Sequence, residues 1–130
     1  MYITQSLKHS AQVNGNKEAS VCGQRIHTYS ELLDRVSRFA GAIKRHGVVP
    51  NDRIAILALN SDRYLEYFFS VPWAGAAFVP LNIRWSVEEN TFAVQDAGVK
   101  YIFVDDTFIP AVTAIQSKCD NLQAIYIGDG

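Results

Sequence analysis

The run Arg53-Ile54-Ala55-Ile56-Leu57-Ala58-Leu59 is apolar at every position after the arginine, without the alternation of a half-exposed strand. An extended segment of this kind needs cover on both faces, which is the situation of a central strand in a parallel sheet. Parallel neighbours require crossover connections, so helices are expected on either side of the run in sequence.

Upstream, Thr28 and Glu31 stand at capping-box spacing and predict a helix start. Leu32, Leu33, Val36, Phe39, Ala40 and Ile43 recur at offsets of three and four and form one apolar stripe. Lys44, Arg45 and His46 suit the negative end of the helix dipole, and Gly47 suits a left-handed position before Pro50. Further upstream, Ala19-Ser20-Val21-Cys22 and Arg25-Ile26-His27-Thr28 flank Gly23-Gln24, whose leading glycine fits a type II′ hairpin turn. Residues 1–18 read as a polar lead, and residues 19–130 as the α/β portion.

Downstream the same alternation continues. Asn60-Ser61-Asp62 can cap a second helix with Leu65, Phe68, Phe69 and Trp73 as its buried side, which Pro72 should kink or end. Phe78-Val79-Pro80-Leu81 reads as a short strand, its proline pointing to an edge or a strand end. Ser86 and Glu89 form a second capping box, opening a helix that Gly98 should close. Tyr101-Ile102-Phe103-Val104 follows as a strand, Asp105-Asp106-Thr107 as a cap for a helix bearing Phe108, Val112 and Ile115, and residues 122–127 as a last strand before Gly128-Asp129-Gly130. The expected fold is therefore α/β, a parallel sheet with helices on its faces preceded by a small antiparallel hairpin. The order of elements stops on a strand without a covering helix, which predicts further protein and an exposed sheet edge capable of self-association.

Composition narrows the function classes. The chain has 130 residues, of which 48% are apolar, with 12 Lys+Arg against 13 Asp+Glu and a formal net charge of −1. Such a balance offers no excess positive charge for a phosphate backbone and argues against nucleic-acid binding. No apolar stretch approaches the roughly 20 residues of a transmembrane helix, and no basic and apolar leader opens the sequence, so a cytoplasmic location is expected. Cys22 and Cys119 lack metal-ligand or CxxC spacing and read as reduced buried thiols; no metal site is assigned.

Local chemistry supplies no active site. Neither G-x-G-x-x-G, nor a P-loop, nor G-x-S-x-G occurs, and the glycines are scattered through turns and helix ends. Asp105 and Asp106 end a strand where open α/β sheets bind ligands, but their simpler role is a helix cap. Glu88 and Glu89 read as first-turn charges, and His9, His27 and His46 as strand-face or helix-end residues rather than ligands. Trp73, Phe68 and Phe69 read as core.

A wider pattern is nonetheless present. Thr28-Tyr29-Ser30-Glu31-Leu32, Gly47 with Asn51-Asp52-Arg53-Ile54-Ala55-Ile56, Asn60-Ser61, and residues 74–82 (AGAAFVPLN) followed by Arg84 together resemble the amino-terminal portion of the acyl-adenylate-forming enzymes. The likeness runs from about residue 19 onward and is nearest to bacterial fatty-acid–CoA ligases, with Ile83 standing where proline is more usual. It implies ATP, Mg²⁺ and CoA as reactants of a complete enzyme that joins a carboxylic acid to CoA through an acyl-adenylate. The groups that handle ATP in that family are a Ser/Thr/Gly-rich loop ending in Lys, a Thr-Glu motif, a ribose-binding Asp and a carboxy-terminal Lys. None has a counterpart in residues 1–130, so no catalytic residue and no bound cofactor are assigned to this chain. Its partner would be the remainder of the ligase, for which it is a scaffold. At Arg84 the resemblance implies a contact with a phosphate of CoA, a task suited to a guanidinium. A different class, a free-standing flavodoxin-like binding or signalling module with Asp105 and Asp106 as an ion or phosphoryl site, is the competing expectation. A truncated regulatory homologue of a ligase is a third.

Overall fold

At Thr28 the chain turns from strand to helix because two orphan amides find partners at once. The Thr28 hydroxyl accepts from the Glu31 amide at 3.2 Å, and the Glu31 carboxylate accepts from the Thr28 amide at 2.9 Å. A cap of this kind is worth about 1 kcal/mol. The bond from the Thr28 amide also holds the Glu31 carboxyl below its ordinary pKa. The helix that follows, α2 (Tyr29–Arg45), buries Leu32, Val36, Ala40 and Ile43, the expected stripe, and Gly47 takes the left-handed conformation with φ 106°.

The computed structural model describes residues 3–22, 25–59 and 62–127. The Gly23-Gln24 turn, the Asn60-Ser61 part of the second helix cap and the closing Gly128-Asp129-Gly130 lie outside the described residues. The chain falls into two compact units, Met1–Pro50 with Asn60–Ala76, and Asn51–Leu59 with Ala77–Gly130.

The first unit holds α1 (Ile3–Asn14), the hairpin β1 (Glu18–Cys22) and β2 (Arg25–Thr28), α2, and α3 (Asp62–Trp73). The strands pair antiparallel as expected. Helix α1 lies within the polar lead, where the sequence pattern predicts no element. It carries few apolar residues, but nothing before Gly15 breaks a helix, and Leu7 is buried with Leu32 and Val36. Helix α3 corrects the expected buried side. Phe68 is 37% exposed, while Glu66, Tyr67, Ser70 and Val71 are buried. The reason is that α3 has two neighbours. Tyr67 packs on Phe39 of α2 with its ring tilted, 4.6 Å between centroids, and the buried Ser70 hydroxyl lies 3.3 Å from the Val36 carbonyl of α2. Leu65, Phe69 and Trp73 turn instead to the Leu7-Leu32-Val36 cluster. Glu66 tolerates burial because the Arg35 guanidinium grips both its oxygens and Arg63 lies 3.7 Å away. Pro72 sits in the last turn of α3, one residue before its end, where it forfeits the bond to the carbonyl four residues back and the helix stops soon after, as expected.

The second unit is the sheet. Its strands β3 (Arg53–Leu57), β4 (Ala77–Pro80), β5 (Tyr101–Val104) and β6 (Gln123–Tyr126) are all parallel in the order β4-β3-β5-β6. The apolar run at 53–59 is thus an inner strand, and the proline-bearing strand is an outer one. Helix α4 (Val87–Ala97) connects β4 to β5; a single 3₁₀ turn (Asp106–Phe108) and α5 (Ile109–Gln116) connect β5 to β6. Register places Val79, Ala55, Ile102 and Ala124 side by side across the sheet. On that face Val94 of α4 and Val112 and Ile115 of α5 join Ala55, Leu57, Ile102 and Val104 in one core. Ile54, Ile56 and Phe103, of opposite parity, are also excluded from solvent.

A left-handed residue stands two or three positions ahead of every strand of the sheet. These are Asn51, Gly75, Gly98 and Asn121, with φ of 71°, 86°, 66° and 64°. Glycine and asparagine are the residues that reach this region at low cost.

Candidate functional site

Within the sheet unit, the polar residues singled out from the sequence gather at the carboxyl ends of the strands, the edge where open parallel sheets accept ligands. Asp105 follows β5 directly and is 6% exposed. Its two oxygens are occupied by backbone. Oδ2 accepts from the Leu59 amide beyond β3 at 2.8 Å, and Oδ1 accepts from the Phe108 amide at 3.2 Å. This carboxylate ties two adjacent strand ends together and caps the 3₁₀ turn. Asp106 is exposed and opens that turn. Neither is presented as an ion or phosphoryl ligand, so the flavodoxin-like module finds no support here.

The connection from β4 to α4 carries Arg84. Asn82 organises it through an Asx turn, its Oδ1 accepting from the Arg84 amide at 2.8 Å and its carbonyl from the Trp85 amide at 3.1 Å. From α4, the buried Asn90 donates its side-chain N–H to the same Asn82 carbonyl at 3.2 Å. Ser86 then caps α4 in the expected box with Glu89, accepting from its amide at 3.2 Å, and Gly98 closes the helix. Arg84 is left exposed, and among the described residues no carboxylate pairs with its guanidinium. An unengaged guanidinium on a fixed loop can accept a phosphate or carboxylate.

Beside this loop an open groove of about 650 Å³ is floored by Val79, Trp85 and Phe92 and carries Glu88, Glu89 and Asp96. Three acids make it unsuited to triphosphate. Glu88 behaves as the expected first-turn charge. Its own backbone amide and then the Lys118 ammonium, 3.5 Å away, hold its carboxyl below the ordinary value. Among the described residues no group of three or more His, Cys, Asp or Glu side chains could hold a metal ion. The Mg²⁺ of an adenylating enzyme therefore has no matching donor set among the described residues, and no step is derived through it.

The remaining candidates are structural. His9 is exposed, and the His46 amide closes α2 by donating to the Ala42 carbonyl at 3.0 Å. Cys119 is a buried free thiol whose pKa is raised chiefly by burial and further by Asp120. The side chain of Cys22 lies outside the described residues. Trp73 is half-buried, with the Lys8 ammonium 4.7 Å from its ring centroid. Two polar arrangements escape sequence reasoning. The Arg63–Glu66 spacing could have flagged one, but Arg35 is 31 positions from Glu66, and Asn90 occupies an ordinary surface-type position in the helical pattern.

A four-stranded parallel sheet with a capped crossover helix, in a chain that also carries a helical unit with a β-hairpin, defines an α/β scaffold. A family profile described as "AMP-binding enzyme" matches residues 7–130, and the chain belongs to that family. It is 34% identical over 110 residues to the fatty acid–[acyl-carrier-protein] ligase ScoC of Streptomyces coeruleorubidus, a match covering 85% of this chain and 21% of that protein. It is 32% identical over 130 residues to a long-chain-fatty-acid–CoA ligase of Thermus thermophilus, covering 95% of this chain and 24% of that one. Among solved structures, the N-terminal domain of FACL13 from Mycobacterium tuberculosis superposes with a TM-score of 0.89 at 26% identity, over 97% of this chain and 33% of that one. The chain thus matches the N-terminal domain of acyl-CoA ligases and spans about a fifth to a quarter of the length of these relatives.

Proposed function

We propose that residues 19–130 belong to the N-terminal α/β portion of an AMP-forming, cytoplasmic acyl-CoA synthetase. They provide the frame on which the rest of the enzyme builds the acyl and nucleotide sites, rather than performing the chemistry. The observation that carries this reading is the superposition on the N-terminal domain of FACL13. Adenylation requires positive charge and Mg²⁺ aligned on the α-phosphate while the carboxylate attacks. The sequence contains no phosphate loop to place them. Purified chain supplied with fatty acid, MgATP and CoA is expected to release no pyrophosphate above a buffer control. Acid-dependent release from the purified chain would overturn the scaffold reading.

In the complete enzyme, Arg84 is assigned the contact to a phosphate of CoA. Arg84→Ala is then expected to raise KM for CoA about tenfold, the worth of one charge-assisted hydrogen bond. An unchanged KM would remove the assignment. Taken alone, the chain is also expected to self-associate through its sheet edge, because the outer strands β4 and β6 are short but unpaired among the described residues and Tyr126 on β6 is 59% exposed. A concentration-independent monomer in sedimentation would contradict this.

A further inference from the structure

The carboxamide of Asn90 is 3% exposed in α4, an expensive place for a polar group unless it does something there. Only half of it is satisfied. The N–H donates to the Asn82 carbonyl at 3.2 Å, while Oδ1 has no partner among the described residues. Because a carbonyl can only accept, this bond fixes which end of the amide faces the loop. For helix stability a leucine would serve better at this position, since it would bury apolar area and leave no orphan acceptor. The retained amide points to a demand on the loop side of the bond.

That demand is visible in the backbone around Arg84. The Asn82 carbonyl receives two donors, the Trp85 amide at 3.1 Å and Asn90, while Asn82 Oδ1 receives the Arg84 amide at 2.8 Å. The bond from α4 is the one that ties this turn to a buried helix face. The others are internal to the turn and would move with it. The Ser86 cap fixes where the helix begins but does not hold the turn itself.

We propose that Asn90 is a positioning residue for Arg84. It anchors the Asn82–Trp85 turn to α4 so that the guanidinium is held in one direction before its anionic ligand arrives, which reduces the ordering cost of binding. This rests on the reading of Arg84 as a CoA phosphate contact, and it extends that reading to a residue that touches no ligand.

The test is made in the complete enzyme with Asn90→Leu, Asn90→Ala and Arg84→Ala. Asn90→Leu removes the orphan acceptor and leaves the Asn82 carbonyl its Trp85 donor, so the fold is expected to persist. KM for CoA should rise about threefold to tenfold, the worth of one net hydrogen bond, with the change falling on KM rather than kcat. Amide exchange should quicken at Arg84 and Trp85 and not along α4, a local signature that general destabilisation would not produce. Asn90→Ala, which removes the same donor without adding bulk, should reproduce both effects and decides the matter if Asn90→Leu does not fold. If Arg84→Ala raises KM while Asn90→Leu leaves it unchanged, the positioning role is overturned and the Arg84 contact stands. If Arg84→Ala itself leaves KM unchanged, both readings fall.

Discussion

Asp105→Ala is expected to lower the unfolding free energy by about 2–4 kcal/mol, from the loss of two hydrogen bonds to a charged acceptor in a nearly inaccessible site. The carboxylate joins the end of β3, through the Leu59 amide at 2.8 Å, to the turn after β5, through the Phe108 amide at 3.2 Å. Alanine leaves both amides without these acceptors. The Phe108 amide keeps a poorer bond to the Asp105 carbonyl at 3.3 Å, so the larger loss is at Leu59. An asparagine side chain in the same place would retain one oxygen but present an N–H₂ group to the other amide. Asp105→Asn is therefore expected to recover about half the loss at most. Chemical denaturation of the three proteins is expected to rank the wild type first, the asparagine variant second and the alanine variant last. An alanine variant as stable as the wild type would show that the strand ends are held by something else.

Ile102→Ala should have an effect of similar or greater size, about 2–5 kcal/mol. Ile102 is fully buried, and its neighbours in register are Ala55 on one side and Ala124 on the other. Its side chain is the bulk between two small residues, facing Val94, Val112 and Ile115 from the helices above. Alanine would leave three small residues in a row, and fixed strand spacing prevents the sheet from closing the gap. Ile102→Val removes one methylene and should cost about 0.5–1.5 kcal/mol. A loss below about 1 kcal/mol for the alanine variant, short of the usual range for such truncations, would mean that α4 or α5 relaxes into the void. Crystals of that variant would show it.

These two positions mark how far the sequence can be read. Ile102 lies in an apolar run between a helix terminator and a capping aspartate, so strand, burial and boundaries all follow from local rules. The same holds for Thr28 and Glu31, Ser86 and Glu89, and Gly98, because caps are local chemistry with fixed spacing. Helix α1 escapes such rules since its apolar residues are too few to make a stripe, and its burial through Leu7 depends on Leu32 and Val36 far along the chain. The buried side of α3 is misread for a related reason. Hydrophobicity ranks Phe68 above Glu66, but Arg35 reverses the order, and a partner 31 residues away leaves no periodic trace. Asp105 is recognisable as a cap, yet its bond to Leu59 crosses between strands and has no local signal. The loop around Arg84 is legible only through the family resemblance. Its internal geometry depends on Asn90, whose burial is a tertiary fact.

The four left-handed residues that precede the strands separate two ways of specifying a connection. Where the chain enters the sheet, at Asn51, Gly75, Gly98 and Asn121, the corner is set by main-chain torsion and admits few residue types. On leaving β4 and β5 it is set by side chains such as Asn82, Ser86 and Asp105 reaching for amides. Exchange of those side chains can redraw the exit edge without disturbing the entry edge. The architecture can thus vary its working rim while the opposite rim stays geometrically constant.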